Sequence, residues 1–468
     1  MATGGTFPYG GAGYADVNTI PMAALSRVEV LLDGASAQYG SDAIAGVLNL
    51  SLREDASGGA VTTTLGSYKE GDGLTGGLSG WVGTGLGDGG FLNLSADYSY
   101  RRETDRSGPD IRPRYFRIGT DNVPLPPESA SGEPDSREPF GRDRVGKWGN
   151  SRVRHLALLA NAGLDLADSL EAYGWLNYAN TNTRTWAHPE LPASPANIRA
   201  IFPDGHAAIF GYRDNNYSGA GGLRYDAGDA GDAGDAGELD LSVVYGRHER
   251  ENRTLQGVSP SFGLASKTRF FNGVTRADQL NAALDYDRDI DLSWLARPLA
   301  IQAGIAFRRE KWWVAQHGEE QTWSNGGQPI LDGPNAGSPA RWGSGQAIAP
   351  WDVTAGNRSV YSAYIGADFP PYPAVSARPD RASGALLRLR MDDDRQTVGA
   401  LRCLARLCAT RNHQQRLSRT ERGPACLSKQ RLRRHMAAQR GHSRAQPDAA
   451  GSSRRYRCHC SGRWPAAA

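Results

Sequence analysis

The residues able to do chemistry fall into a few groups, and their spacing excludes most of what they could do. Gly34, Gly40 and Gly46 follow a strand-like run, as glycines do in a phosphate-cradling loop. Such a loop needs Lys-Ser/Thr after its last glycine, or Gly-x-Gly-x-x-Gly between strand and helix, and neither is present. The repeat AGDAGDAGDAG over Ala227–Gly237 spaces aspartates every third residue, which matches neither an EF-hand loop nor a nonapeptide β-helix repeat. It is better explained as an acidic turn lengthened by triplet duplication. All five cysteines (Cys403, Cys408, Cys426, Cys458, Cys460) lie beyond residue 402. Their spacings, with His459 between the last two, fit no zinc module. No His/Cys/carboxylate cluster with metal spacing and no Gly-x-Ser-x-Gly elbow occurs before them. The expectation is therefore no catalytic residue, no cofactor, no metal and no enzyme.

Aromatic rings in polar stretches are the remaining chemical resource. Trp186, Tyr212, Phe270, Phe271, Trp323, Trp342 and Trp351 fall in segments rich in Pro, Gly, Asn, Asp and Arg. They could stack on a sugar, an aromatic siderophore or another ring. The plainer alternative is solvated loops with incidental aromatics.

Stepping outward, one stretch organises the chain: IPMAALSRVEVLLDGASAQYGSDAIAGVLNLSL, Ile20–Leu52. Val28, Val30 and Leu32 alternate with Arg27, Glu29 and Leu31, the period of a half-buried strand over Ser26–Leu32. Asp33-Gly34 turns the chain, Ala35–Gly40 is small-residue text with one Tyr39, and Ser41-Asp42 is a cap or turn. A second strand follows over Val47–Leu50. RVEVLLDGASAQYGSDAIAGVLNL resembles the end of the plug domain of TonB-dependent outer-membrane receptors, and ADVNTIPMAAL before it fits the same pattern. Residue type, spacing and order agree over about thirty positions, which makes this resemblance specific rather than a lone motif. It implies a structural or gating role for Arg27, Glu29, Asp33, Gly34, Tyr39, Gly40, Ser41, Asp42, Gly46 and Asn49. Arg27 and Glu29 fall where the family carries charges facing the barrel wall. They are either part of an ionic latch or a simple strand-surface pair.

From Gly58 to Phe369 one plan repeats, alternating segments of about ten residues separated by loops. In Phe91–Arg101, Leu92, Leu94, Ala96, Tyr98 and Tyr100 fall on one face, with Asn93, Ser95, Asp97, Ser99 and Arg101 on the other. Leu299–Arg308 repeats the pattern. Eight more candidates are Gly59–Tyr68, Leu74–Leu86, Arg152–Leu164, Leu170–Asn182, Tyr217–Tyr225, Glu238–Arg250, Arg276–Tyr286 and Ser359–Phe369. Tight links alternate with long ones (Arg102–Ser151, Thr183–Asn216, Glu251–Thr275, Trp312–Arg358), as in outer-membrane barrels and unlike β-sandwiches. Tyr68, Trp81, Tyr98, Tyr100, Trp148, Tyr178, Trp186, Tyr245, Trp312 and Trp313 lie near the ends of these segments, suggesting aromatic girdles. The 39% hydrophobic content and 58 glycines are low for a packed soluble enzyme. They suit strands that bury only every second residue.

The formal charge of +3 hides two regions. Of 53 Lys+Arg and 50 Asp+Glu, 21 and 6 lie in Pro370–Ala468, leaving 32 and 44 before it. Three readings fit the tail: a nucleic-acid or anionic-membrane surface, a metal site, or translation from a shifted reading frame. The frameshift is favoured, because composition switches where further strands should continue; such text folds into nothing regular.

The expected fold is mainly β: the C-terminal part of an α/β plug (1–57), part of a transmembrane antiparallel β-barrel of about ten strands (58–369), and a basic irregular tail (370–468). The family's location is the outer membrane of Gram-negative bacteria. The resemblance implies active uptake of a scarce nutrient (siderophore, vitamin or saccharide), with TonB, outer-membrane lipid and an extracellular small molecule as partners and no nucleic acid. The alternatives are a nucleic-acid-binding protein using the tail, or a passive porin, which the plug motif argues against. Met1–Gly13 has no signal-peptide pattern, and the segment bearing the TonB box is not in the chain as given. About ten strands would not close a plugged barrel of about 22, so a truncated, non-transporting product is expected. Flanking DNA should then encode a signal peptide and TonB box upstream and further strands downstream in another frame; stop codons in every frame after residue 370 would refute this.

Overall fold

The computed structural model describes residues 3–4, 14–32, 46–87, 89–110, 112–138, 146–228, 236–295, 298–343, 346–369 and 383–393. Short strands β1 (Thr3–Gly4) and β2 (Tyr14–Ala15) pair with each other, and two 3-10 turns follow at Val17–Thr19 and Met22–Ala24. Strands β3 (Leu25–Leu31) and β4 (Val47–Leu52) form a separate antiparallel pair. Both strands expected here are present, each within one or two residues of its sequence bounds.

The chain then enters one large antiparallel sheet. Its strands are β5 (Gly59–Gly66), β6 (Thr75–Leu86), β7 (Gly90–Arg101), β10 (Arg152–Ala167), β11 (Leu170–Glu190) and β12 (His206–Asp226). They continue with β13 (Glu238–Gln256), β14 (Phe270–Ile290), β15 (Leu299–His317), β16 (Ala355–Phe369) and β17 (Ser383–Asp393). A small pair, β8 (Arg117–Ile118) with β9 (Pro124–Leu125), decorates the loop between β7 and β10. Within the large sheet spatial order follows chain order, with β7 bonding β10 past the β8–β9 pair. The tight β6–β7 link uses Gly87 and Gly89 at φ 60° and 93°, a left-handed backbone that side chains disfavour.

All ten strands read from the sequence are present, but most run further at the long-loop end. Leu170–Asn182 extends to Glu190, and Tyr217–Tyr225 begins at His206. The added residues, such as Thr183-Arg184-Thr185 and Gly211-Tyr212-Arg213, are polar on both faces, so apolar alternation stops while hydrogen bonding continues. An eleventh strand, β17, lies beyond Phe369, where the alternation was read to end. Its register sets Leu387, Leu389 and Met391 opposite Ile365, Ala363 and Tyr361.

The two faces differ sharply. One carries Leu78, Val82, Leu94, Leu158, Leu176, Leu223, Leu241, Val243, Leu284 and Ile305, all exposed. The other carries buried Asn93, Asn161, Asn177, Asn216 and His248. Exposed Leu and buried Asn invert the order of a water-soluble sheet and fit strands with lipid outside and a polar interior. On the apolar face Tyr178, Tyr217 and Tyr245 lie about eight residues above their turn ends, or roughly 25 Å of strand. Tyr178 and Tyr245 are thus inside long strands rather than at strand ends, yet at the height where an apolar band would stop.

Leu158→Arg is expected to destabilise the sheet in phosphatidylcholine vesicles by about 2–4 kcal/mol, as for a cation on a lipid face. Urea titration of vesicle-folded protein measures it; an unchanged midpoint would remove Leu158 from the lipid.

Candidate functional site

The polar face meets the segment that precedes the sheet: the turn at Met22–Ala24 lies against β6 and β7, the turn at Val17–Thr19 against β11, and Arg53 ties the exit. Arg53 directly follows β4. Its backbone N–H donates to the Ala24 carbonyl at 2.9 Å, and its Nε donates to the Ala23 carbonyl at 3.0 Å. Its carbonyl accepts from Asn161 Nδ2 at 2.9 Å, its guanidinium lies 4.4 Å from the Trp81 ring centroid, and it pairs with Asp55 at 3.2 Å. The strands entering and leaving the β3–β4 pair are so tied to each other and to β6 and β10. A Cβ on Gly83 would lie 2.1 Å from the Asp55 carbonyl, so glycine lets the exit strand lie against the wall. Register relates Asn93 to Asn161 and Asn216 to His248, and His248 Nδ1 lies 2.8 Å from Asn216 Oδ1. Asn93 Nδ2 and Asn177 Oδ1, both buried, have no hydrogen-bond partner among the described residues.

In the β3–β4 pair, Arg27 Nε lies 3.0 Å from Glu29 Oε1, with both side chains at least half exposed. Glu29 Oε2 accepts from Asn49 Nδ2 at 2.8 Å across the register pair Glu29/Asn49. These three form one surface cluster, and an exposed pair of this kind contributes little to stability. Gly46 is held to glycine by crowding, since a Cβ there would lie 2.5 Å from the Leu31 carbonyl oxygen. Asp33, Gly34, Tyr39, Gly40, Ser41 and Asp42 lie outside the described residues.

The aromatic candidates separate by burial and by what already covers them. Trp186, Tyr212, Phe270 and Phe271 sit in strands rather than loops, because the strands run past the apolar band. Phe270 is 3% exposed, which takes it off any ligand-facing surface. Lys147 lies over the Trp186 ring at 5.4 Å, and Arg250 over Tyr212 at 5.5 Å. The Tyr212 hydroxyl also donates to Gln346 at 2.6 Å. Trp323 donates Nε1–H to the Gly318 carbonyl and stands perpendicular to Trp351, centroids 5.6 Å apart. Trp342 and Trp351 are exposed, at 54% and 69%. Arg53, Asn161, Trp81 and Gly83 escape sequence reasoning. A charged residue straight after β4 was the only available sign.

Where β7 and β10 leave the sheet, Glu103 is buried and accepts from Arg152 at 2.6 and 2.9 Å and from Lys147 at 2.9 Å. The Arg152 hydrogen bonds hold its carboxyl down at about 2, against burial and with help from Lys147. A lowered carboxyl stabilises the fold above its unfolded value and loses that contribution as pH falls toward the folded one. Glu103→Gln should therefore cost about 1–3 kcal/mol near neutrality. The gap should narrow below pH ~4.5 and vanish near pH ~2, read as thermal unfolding in maltoside micelles across that range. A gap independent of pH would contradict the assignment.

Residues 3–47 match the family model described as TonB-dependent Receptor Plug Domain. Among solved structures, the chain is similar to a ferric enterobactin receptor from Pseudomonas aeruginosa, at 14% identity over 81% of this chain and 46% of that one, TM-score 0.49. It is also similar to a siderophore receptor from Acinetobacter baumannii (15% identity, 81% and 45%, TM-score 0.46). A copper transporter follows at 9% identity, 79% and 42%, TM-score 0.43. The chain spans about half the length of these structures. The chain thus joins a segment that matches the plug domain of TonB-dependent receptors to a large antiparallel sheet.

Proposed function

We propose that the chain is the plug-and-strand part of an outer-membrane receptor for active uptake of a scarce nutrient of the siderophore, vitamin or saccharide class. Residues 1–57 supply the end of the plug, 58–369 the first part of the barrel, and 370–468 a basic tail from which Ser383–Asp393 adds one more strand. The observation that carries this reading is the pairing of two surfaces. A plug segment is clamped by Arg53 to the polar face of a sheet whose opposite face is apolar over about a bilayer's thickness. A passive pore has no use for such a clamp.

In an assembled receptor of this design, ligand meets the long loops, the plug occludes the lumen, and TonB draws on the plug from the periplasmic side. The chain's own contribution is to hold residues 53–58 on the wall while the β3–β4 pair makes its principal bonds within itself. Trp342 and Trp351, the latter edge-on to Trp323, keep enough exposed ring to stack on an incoming ligand; Trp186 and Tyr212 are already covered by cations.

Tryptophan fluorescence of the full chain in maltoside micelles, titrated with a ferric catecholate, cobalamin and a maltooligosaccharide, tests the reading. One class should quench saturably. Trp342→Ala and Trp351→Ala should each weaken it by about fivefold to thirtyfold, the worth of a ring contact. Trp186→Ala should weaken it less. No saturable quenching, or equal effects at all three positions, would overturn the assignment.

A further inference from the structure

On the lipid-facing side, above the tyrosines, three arginines have no ion pair among the described residues. Strand period places Arg154 on the face of Leu156 and Leu158, Arg184 on that of Leu176 and Tyr178, and Arg213 on that of Tyr217 and Gly219. Register aligns Arg154 with Asn182 and Asn182 with Arg213, so Asn182 sits between two guanidinium-bearing positions. Arg184 lies two residues further up the same strand. All three side chains are exposed and, among the described residues, form no ion pair or hydrogen bond, unlike Arg224, Arg247 and Arg276 on neighbouring strands.

One of these placements is costly by itself. Arg184 is the direct register partner of Arg152, and like charges opposite each other destabilise a strand pair. Glu103 neutralises Arg152 with both carboxylate oxygens and also holds Lys147, so Arg184 gains nothing from it. The acid in register with Arg213, Glu251, is already bonded to Arg253. The arrangement therefore calls for an external anion.

Just below, the same face carries an apolar groove. It has a volume of about 1150 Å³ and is walled by Leu158, Leu176, Tyr217 and Val243 over the small residues Gly80 and Gly219. Between groove and arginines, a polar ladder marks the change of medium. Asn215 Oδ1 accepts from Tyr178 Oη at 3.4 Å and from Asn180 Nδ2 at 2.7 Å, and Asn180 Oδ1 accepts from Asn182 Nδ2 at 2.6 Å. Apolar groove, hydrogen-bonding rung and unpaired guanidinium groups succeed one another over a few residues of strand.

We propose that this face is a binding site for a phosphorylated, net anionic membrane lipid, with its acyl chain in the groove and its phosphate on Arg154, Arg184 and Arg213. Guanidinium matches phosphate geometry in paired hydrogen bonds, and the rung of asparagines can serve the glycerol or sugar region. The inference rests on the reading of this face as lipid-facing, but not on any transported ligand. The transport reading can fail in the fluorescence titration while this one stands.

The test uses the full chain in maltoside micelles with native mass spectrometry. Dioleoyl-phosphatidylglycerol, dioleoyl-phosphatidylcholine and inorganic phosphate are added separately. Phosphatidylglycerol should bind at least about tenfold tighter than either of the others, because it alone offers both chain and net charge. The triple variant Arg154→Ala, Arg184→Ala, Arg213→Ala should lose most of that preference, by roughly tenfold or more, while keeping the wild-type β-sheet circular dichroism. Arg184→Lys, which keeps the charge but not the paired hydrogen bonds, should bind between the wild-type chain and Arg184→Ala. Equal affinity for the two lipids, phosphate binding as tight as phosphatidylglycerol, or an unaltered triple variant would each overturn the proposal. If the triple variant misfolds, the lipid comparison on the wild-type chain decides.

Discussion

A peptide group in hydrocarbon has no water to bond, and each one left unpaired costs several kcal/mol. The rest of the structure follows from that constraint. Every strand of the large sheet bonds the sheet strand that follows it along the chain, giving the topology in which pairing closes soonest after the strands emerge. Because side chains alternate across such a sheet, one face must suit lipid and the other must not. Exposed Leu158, Leu176 and Val243 opposite buried Asn161, Asn177 and His248 are two results of the same requirement. Buried amides are tolerable on the inner side because other polar groups meet them there. Asn161 finds the Arg53 carbonyl and Asn216 finds His248.

The plug segment depends on the sheet more than on itself. Val28, Val30 and Leu48 of β3 and β4 remain exposed, so burial of apolar surface contributes little to holding that pair in place. What holds its base is polar and local: two carbonyls, one amide and one indole ring, all converging on Arg53. A cation over an indole contributes about 0.5–2 kcal/mol and a hydrogen bond to a charged group about 1.5–3. Their sum outweighs an exposed ion pair such as Arg27–Glu29, worth about 0–1 kcal/mol. Arg53 gathers these bonds at the neck of the pair, and the turns at Val17–Thr19 and Met22–Ala24 lie against β11, β6 and β7 beside it.

The alternation made the strands legible, and it did so only where lipid imposes it. Leu92 to Tyr100 announces β7, whereas the upper halves of β11 and β12 carry Asn, Thr and Arg on both faces and read as loop. The pairing that makes them strands is non-local, joining Thr183 to Tyr212 and Arg184 to Gly211. The aromatic candidates inherited that error: Phe270 looked like a loop residue and is a buried strand residue. Arg53 was invisible for a related reason. Its partners Trp81 and Asn161 lie on different strands, and no local pattern distinguishes an arginine that caps a junction from one that faces water.

Charge is distributed along the strands as unevenly as polarity is across them. At the turn end the sheet bears Glu171, Asp226, Glu238, Asp240, Asp285, Asp287 and Asp289. Arg224 there is shared among Glu171, Glu238 and Asp240. At the opposite end of the lipid-facing side Arg247 and Arg276 are paired with Asp278 and Glu249, and Arg154, Arg184 and Arg213 are left without an ion pair among the described residues. A sheet symmetric in sign would sit equally well either way up in a membrane. This one presents cations to one leaflet and acids to the aqueous side of the other, so an anionic leaflet favours a single orientation. The carboxylates can lie in water at the turns, where their solvation costs nothing. The arginines flank an apolar band and gain most where phosphate replaces that water.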